Sequence, residues 1–304
     1  MVAGIAGVLG LLVGSFLNVV IHRLPKMMER QWAAEVAQYA LDTHGTGTPG
    51  AQEENVAATP DSPAPAAPAA PAAQPFNLST PRSRCPSCGH VLRWYENIPV
   101  FSYLFLRGRC AGCNTRISPR YPAVELLTGA LFFYCGYRWG PTATAAVWCG
   151  FSAALVALAF IDWDTTLLPD DITLPLLWAG LVAAALRWID VPLQASVIGA
   201  ACGYLALWSV YWAFKLATGK EGMGYGDFKL FAALGAWFGW EALVPMILVA
   251  SVIGALVGIA MKFASSLREG LYVPFGPFLA GAGVTAMVVG PARLMQTILR
   301  WLGL

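Results

Sequence analysis

Residues 2–21 run for twenty positions without a charge, and a helix of about that length crosses the hydrocarbon core of a bilayer. This run constrains the fold more than any other stretch. Backbone groups in lipid have no water to bond and must be satisfied inside the segment, which makes it helical. Further apolar runs cover 122–137, 142–161, 172–186, 192–214, 228–240, 242–261 and 273–290. Only 12% of the chain is charged, against roughly 25% in soluble domains. The fold expected is an all-α polytopic membrane protein of about eight transmembrane helices. The first run lacks a basic leading region and a small-residue cleavage site, so it is expected to stay as a helix rather than serve as a signal peptide. Gly10/Gly14, Gly199/Gly203 and Gly254/Gly258 are spaced for close helix–helix approach.

Two of these runs carry acids at their ends. Residues 153–161 lead into Asp162-Trp163-Asp164 and then Leu168-Pro169-Asp170-Asp171. Farther on, Gly222-Met223-Gly224-Tyr225-Gly226-Asp227 opens the short run 228–240. An ionisable group at such a position is expensive and marks function by default. The plainer reading of Asp227 is a helix cap after a glycine-rich loop. Two carboxylates at membrane edges suggest instead a pair sharing one proton, the machinery of aspartic proteolysis. As a helix the 13-residue run 228–240 would be about 20 Å long, too short to cross comfortably.

Between the first and second runs the chain is polar. Met28, Trp32, Val36 and Tyr39 recur at helical spacing, as on a short helix lying on the membrane surface. Residues 45–75 form a Pro/Ala linker, read as semi-rigid and without chemistry. Cys85-Pro-Ser-Cys88, a gap of 21 residues and Cys110-Ala-Gly-Cys113 follow. Two such knuckles suit tetrahedral Zn²⁺ in a structural site within a ribbon over 82–116, and a reducing cytoplasm disfavours the disulfide alternative. Residues 94–99 are apolar enough to rest at the membrane interface. Cys135, Cys149 and Cys202 stand singly in apolar runs and read as small core residues.

Charge placement sets an orientation. With the N-terminus outside, segments 22–121, 215–229 and 262–268 hold ten, three and two of the Lys and Arg residues, leaving four for the other face. The cysteine-bearing loop is therefore expected in the cytoplasm, with Asp162 and Asp227 on that same face. A net charge of +2 gives no argument for a nucleic-acid partner.

The combination of motifs resembles the type IV prepilin peptidases, a branch of the GxGD aspartyl proteases. It comprises Gly14-Ser15-Phe16-Leu17-Asn18, His22-Arg23-Leu24-Pro25, the four cysteines, Glu96-Asn97-Ile98-Pro99, Arg120-Tyr121-Pro122 with Glu125, the Asp162 motif and Gly224-x-Gly226-Asp227. The resemblance implies a bacterial inner-membrane enzyme with Asp162 and Asp227 as the catalytic pair. It implies prepilins and pseudopilins as substrates, cut at the cytoplasmic face. It also implies N-methylation of the new terminus from S-adenosylmethionine, for which the sequence offers no recognisable donor site; Asn18, Glu96 and Glu125 are polar groups near the membrane edge that could help. The organisation expected is a first helix (1–21), a cytoplasmic loop (22–121) and a protease core (122–304). A proton-coupled transporter would also keep carboxylates at helix breaks, and is the alternative reading. A membrane-tethered zinc-ribbon adaptor would explain the cysteines but leave the acids idle.

Overall fold

A computed structural model describes residues 1–45, 76–220, 222–263, 273–301 and 303. From residue 46 onward the Pro/Ala linker lies outside these, as does Glu221. No strand occurs among the described residues; two isolated antiparallel bridges, Arg84 with Val91 and Arg109 with Arg116, are the extended pairings.

The first helix, α1, is Val2–Gly45 and passes through Pro25 without ending. The span and the surface helix read separately from the sequence are thus one continuous rod. Proline removes one helical hydrogen bond, but Arg23, Leu24 and Pro25 are all buried, so packing holds the axis where the backbone bond is lost. The small residues of α1 meet α3 (Arg120–Trp139). A Cβ on Gly14 would lie 2.7 Å from the Glu125 Cα, and one on Gly10 would lie 2.6 Å from the Phe132 Cβ. Close approach of two helices is therefore what those glycines supply.

After α3 come α4 (Ala143–Thr165), α5 (Asp170–Ala185), α6 (Leu193–Thr218) and α7 (Tyr225–Phe238). They are followed by α8 (Leu243–Phe263), α9 (Gly276–Val289) and α10 (Pro291–Trp301). A short helix, α2 (Phe101–Phe105), belongs to the polar region. Every apolar run predicted to be helical is helical. Among the described residues, however, only Val2–Thr43, Ala143–Thr165, Leu193–Thr218 and Trp240–Phe263 are long and apolar enough to cross a membrane singly. Helices α9 and α10, bent by 105°, make a fifth candidate if taken as one span. The remaining runs fall short for visible reasons: α3 carries Arg120, Glu125 and Arg138, α5 has 16 residues and α7 has 14. Length and composition alone therefore give four or five candidate spans among the described residues, short of the eight expected.

Helix α7 is the centre of the bundle. Phe228, Leu230, Ala233, Leu234 and Ala236 are fully buried, and Trp237 donates its indole N–H to the Leu176 carbonyl of α5 at 2.9 Å. On its α6 side, the Gly199 and Gly235 backbones touch so closely that a Cβ on either would collide with the other. Trp148 and Phe151 of α4 pack on Trp237, with ring centroids 5.1 and 4.7 Å away. A helix covered on all sides needs no length to cross lipid by itself.

Candidate active site

Asp162 sits in the last turn of α4, where its carbonyl accepts the Thr166 N–H at 2.8 Å and Thr166 turns left-handed with φ 54°. Its side chain points inward and is only 4% exposed. The Oδ2 atom accepts the backbone N–H of Gly276, the first residue of α9, at 2.9 Å. Asp227 is in the first turn of α7, 7% exposed, and lies within electrostatic reach of Asp162. The expectation that the two acids come together across separate helices is met by this geometry.

The glycines before Asp227 divide by role. A Cβ on Gly226 would fall 2.6 Å from the Leu168 Cβ, so the α4–α5 loop packs where a side chain would be. Gly224 has an ordinary φ of −83° and meets nothing closer than 3.9 Å. Only the first of these requires glycine for space.

The neighbouring acids are occupied otherwise. Asp170 binds Lys229 at 2.6 Å, joining the start of α5 to α7, and Asp164 binds Arg120 at 2.7 Å, joining α4 to α3. No cation pairs with Asp162 or Asp227 among the described residues. Two buried carboxylates without a counter-charge are costly to ionise together, and one proton shared between them removes that cost.

Both acids line a cavity of about 770 Å³. Its other walls come from Leu167 and Leu168, the 222–226 loop, and Val273, Pro274 and Phe275 before α9. Met28, Gln31 and Trp32 of α1 close it from a third direction. Sequence reasoning missed this contribution by placing Met28 and Trp32 on a membrane surface. The i, i+4 spacing was legible; that the rod continues through Pro25 was not. The Gly276 amide was missed as well, and its signal is the Pro274-Phe275-Gly276-Pro277 sequence that opens α9.

The four cysteines converge. Cys85, Cys88, Cys110 and Cys113 bring their sulfurs within 4.8 Å of one another. The Cys85–Cys113 and Cys88–Cys110 separations are 3.8 and 3.9 Å, near the roughly 3.8 Å edge of a tetrahedron built on 2.3 Å metal–sulfur bonds. A disulfide needs about 2.05 Å, so the spacing fits a shared metal. The two knuckles repeat one backbone pattern. In each, the first Cys accepts from the residue four later, Gly89 or Asn114, at 2.9 Å, and both of those residues are left-handed.

Three polar groups flagged near the membrane edge are already engaged. Glu125 accepts the Val100 N–H at 2.8 Å, Asn18 donates to the Tyr121 carbonyl at 3.1 Å, and Glu96 accepts the Arg93 N–H at 2.7 Å. Each of the three thus already has a backbone partner within the fold. Arg23 is buried and donates to the carbonyls of Asn77, Leu78 and Pro81 at 3.0, 3.3 and 2.6 Å. It ties α1 to the segment that leads into the cysteine region.

Comparison with known proteins rests on nearly the whole chain. Residues 8–139 match the model described as the bacterial peptidase A24 N-terminal domain, and residues 149–259 match the type IV leader peptidase family. A relative from Burkholderia pseudomallei named prepilin leader peptidase/N-methyltransferase is 50% identical, covering 93% of this chain and 84% of the relative. The chain belongs to the type IV leader peptidase family. Relatives of the same name from Aeromonas salmonicida (48% identical; 96% and 90% covered) and Pseudomonas aeruginosa (47%; 97% and 92%) agree. No solved structure matches. Family membership leaves the transporter alternative without support, and both acids fall inside the segment matched to the peptidase family.

Proposed function

We propose that this protein is a membrane aspartic endopeptidase that removes the leader of type IV prepilins and pseudopilins, with Asp162 and Asp227 as its catalytic pair. One observation carries the reading. Two buried carboxylates, from helices far apart in sequence, line one cavity and pair with no cation among the described residues, while Asp164 and Asp170 beside them are paired. In the singly protonated pair, the ionised acid takes a proton from water as that water attacks the peptide carbonyl. The protonated acid donates to the carbonyl oxygen. The Gly276 amide holds the Asp162 carboxylate in place while the proton moves. N-methylation of the exposed terminus follows, with S-adenosylmethionine proposed as the donor.

The organisation proposed is a first membrane helix over 1–21, a cytoplasmic loop over 22–121 with its cysteine ribbon at 82–116, and a protease core over 122–304. The ribbon would hold one structural Zn²⁺ through Cys85, Cys88, Cys110 and Cys113; the metal would neutralise thiolates and fix the two knuckles together. All eight apolar segments are proposed to lie in the bacterial inner membrane, the short ones inside the bundle, with the acids at the cytoplasmic face. The test is the purified protein in lipid with a prepilin substrate. Mass spectrometry should find leader removal and a methylated new terminus, and failure to cut would end the reading.

A further inference from the structure

The cysteine region exposes more apolar surface than a small polar domain has reason to. Trp94, Phe101, Leu104 and Phe105 are 81, 60, 65 and 88% exposed. Phe101, Leu104 and Phe105 follow the i, i+3, i+4 spacing that puts side chains on one face of a helix, here α2. Trp94 opens the 3₁₀ turn packed beside it.

The height of this face is fixed by a hydrogen bond. The Val100 N–H, one residue before α2, donates to Glu125 Oε2 at 2.8 Å. Glu125 is five residues into α3, about 7.5 Å along the helix from Arg120. At the start of that same helix Arg120 pairs with Asp164, in the last turn of α4. The start of α2 is thus held farther along α3 than the Arg120–Asp164 ion pair, which marks the polar end of α3 and α4, where the bundle turns apolar. The charges nearby complement a lipid surface. Residues 76–119 hold six arginines and one acid, Glu96. Arg107 and Arg109, just after α2, are exposed and make no ion pair among the described residues.

We propose that Trp94, Phe101, Leu104 and Phe105 seat the cysteine domain in the bilayer that its own helices cross, with Arg107 and Arg109 on anionic headgroups. Large aromatic side chains favour the headgroup level, and each Lys or Arg near an anionic leaflet adds to the attraction. Seating the domain this way also fixes its position relative to α1, to which Arg23 holds the segment leading into it. The proposal rests on the membrane reading above, and its test separates the two.

The full-length protein is placed in nanodiscs with a photoreactive benzoylphenylalanine at Phe105, at Ala111 on the exposed second knuckle, or at Leu256 on α8. After irradiation, lipid adducts are read by mass spectrometry. Adducts at Leu256 and Phe105 but not at Ala111 are expected. The Phe105 yield should fall several-fold when phosphatidylcholine replaces phosphatidylglycerol, and again in Arg107→Gln/Arg109→Gln in the anionic lipid. Lipid adducts at Leu256 with none at Phe105 would overturn the docking face while leaving the spans intact. Adducts from Phe105 to a second copy of the chain would overturn it too, as would a yield indifferent to both lipid charge and the arginines. Absence of adducts at Leu256 would count against the membrane reading instead.

Discussion

Asp162 and Gly276 are joined by a hydrogen bond of 2.9 Å between a carboxylate oxygen and a backbone amide. The last turn of α4 is thereby fixed to the first turn of α9, 114 residues later. A Cβ at residue 276 would lie 2.6 Å from that same oxygen. Gly276→Ala is expected to keep the fold and displace the carboxylate, lowering turnover roughly 10- to 100-fold, the scale on which sub-ångström placement acts. Cleavage kinetics beside a thermal melt decide this: normal turnover would show that the amide does not position Asp162.

Asp162→Asn and Asp227→Asn should each lower cleavage by roughly 100-fold or more, because an amide keeps the shape but cannot shuttle a proton. Asp164→Asn releases the Arg120 pair and should leave turnover within a few-fold. A single-turnover assay with all three variants separates the roles. Near-normal cleavage by either of the first two would refute the pair.

A pair that works with one proton loses activity in both directions of pH. Acid adds the second proton and leaves no base; alkali removes the shared one and leaves no acid. The single-turnover rate in lipid should therefore be bell-shaped, and each Asp→Asn variant should lack that bell. A wild-type rate that rises monotonically across the range of folded protein would contradict a shared proton.

Trp32→Ala and Met28→Ala remove the α1 wall of the cavity without touching either acid. The expected result is a raised KM with kcat held within a few-fold, since uniform binding is lost and the proton chemistry is kept. A fall in kcat alone would move this wall into the chemical step.

Replacing Cys85 and Cys88 by Ser should abolish bound zinc and make the 82–116 region protease-sensitive, because metal-binding energy is folding energy in so small a site. The same linkage predicts metal release on acidification of the wild type, as protons compete for the thiolates. Elemental analysis of the purified protein is the measurement, and zinc-free wild type would remove the site.

Packing makes its own prediction. Gly199→Ala pushes a methyl group into the Gly235 backbone, whereas a Cβ on Gly150 meets nothing within 4 Å. Overpacking of that kind costs about 1–3 kcal/mol. Melting in detergent should show the first variant destabilised and Gly150→Ala unharmed; equal melting points would mean that α6 and α7 separate freely.

Much of this protein could be read along the chain. Apolar runs of known length dictate helices, since lipid leaves the backbone no other partner. Two C-x-x-C pairs dictate a sulfur cluster, and Asp162 and Asp227 stand out because isolated acids at membrane edges are costly. What the sequence could not decide depends on which surfaces meet. Helix α7 counts as too short until α5, α6 and α9 are seen to bury it. Pro25 looks like a stop until Arg23 and Leu24 are seen packed beside it, and only the continued rod brings Met28 and Trp32 to the acids. Asp170 and Asp171 stand side by side in the chain, yet Lys229 from α7 binds Asp170. The same is true of Gly276, an unremarked glycine until the fold places its amide against Asp162. Local periodicity reports a segment's own face; the partner of that face is set by packing between residues distant in sequence.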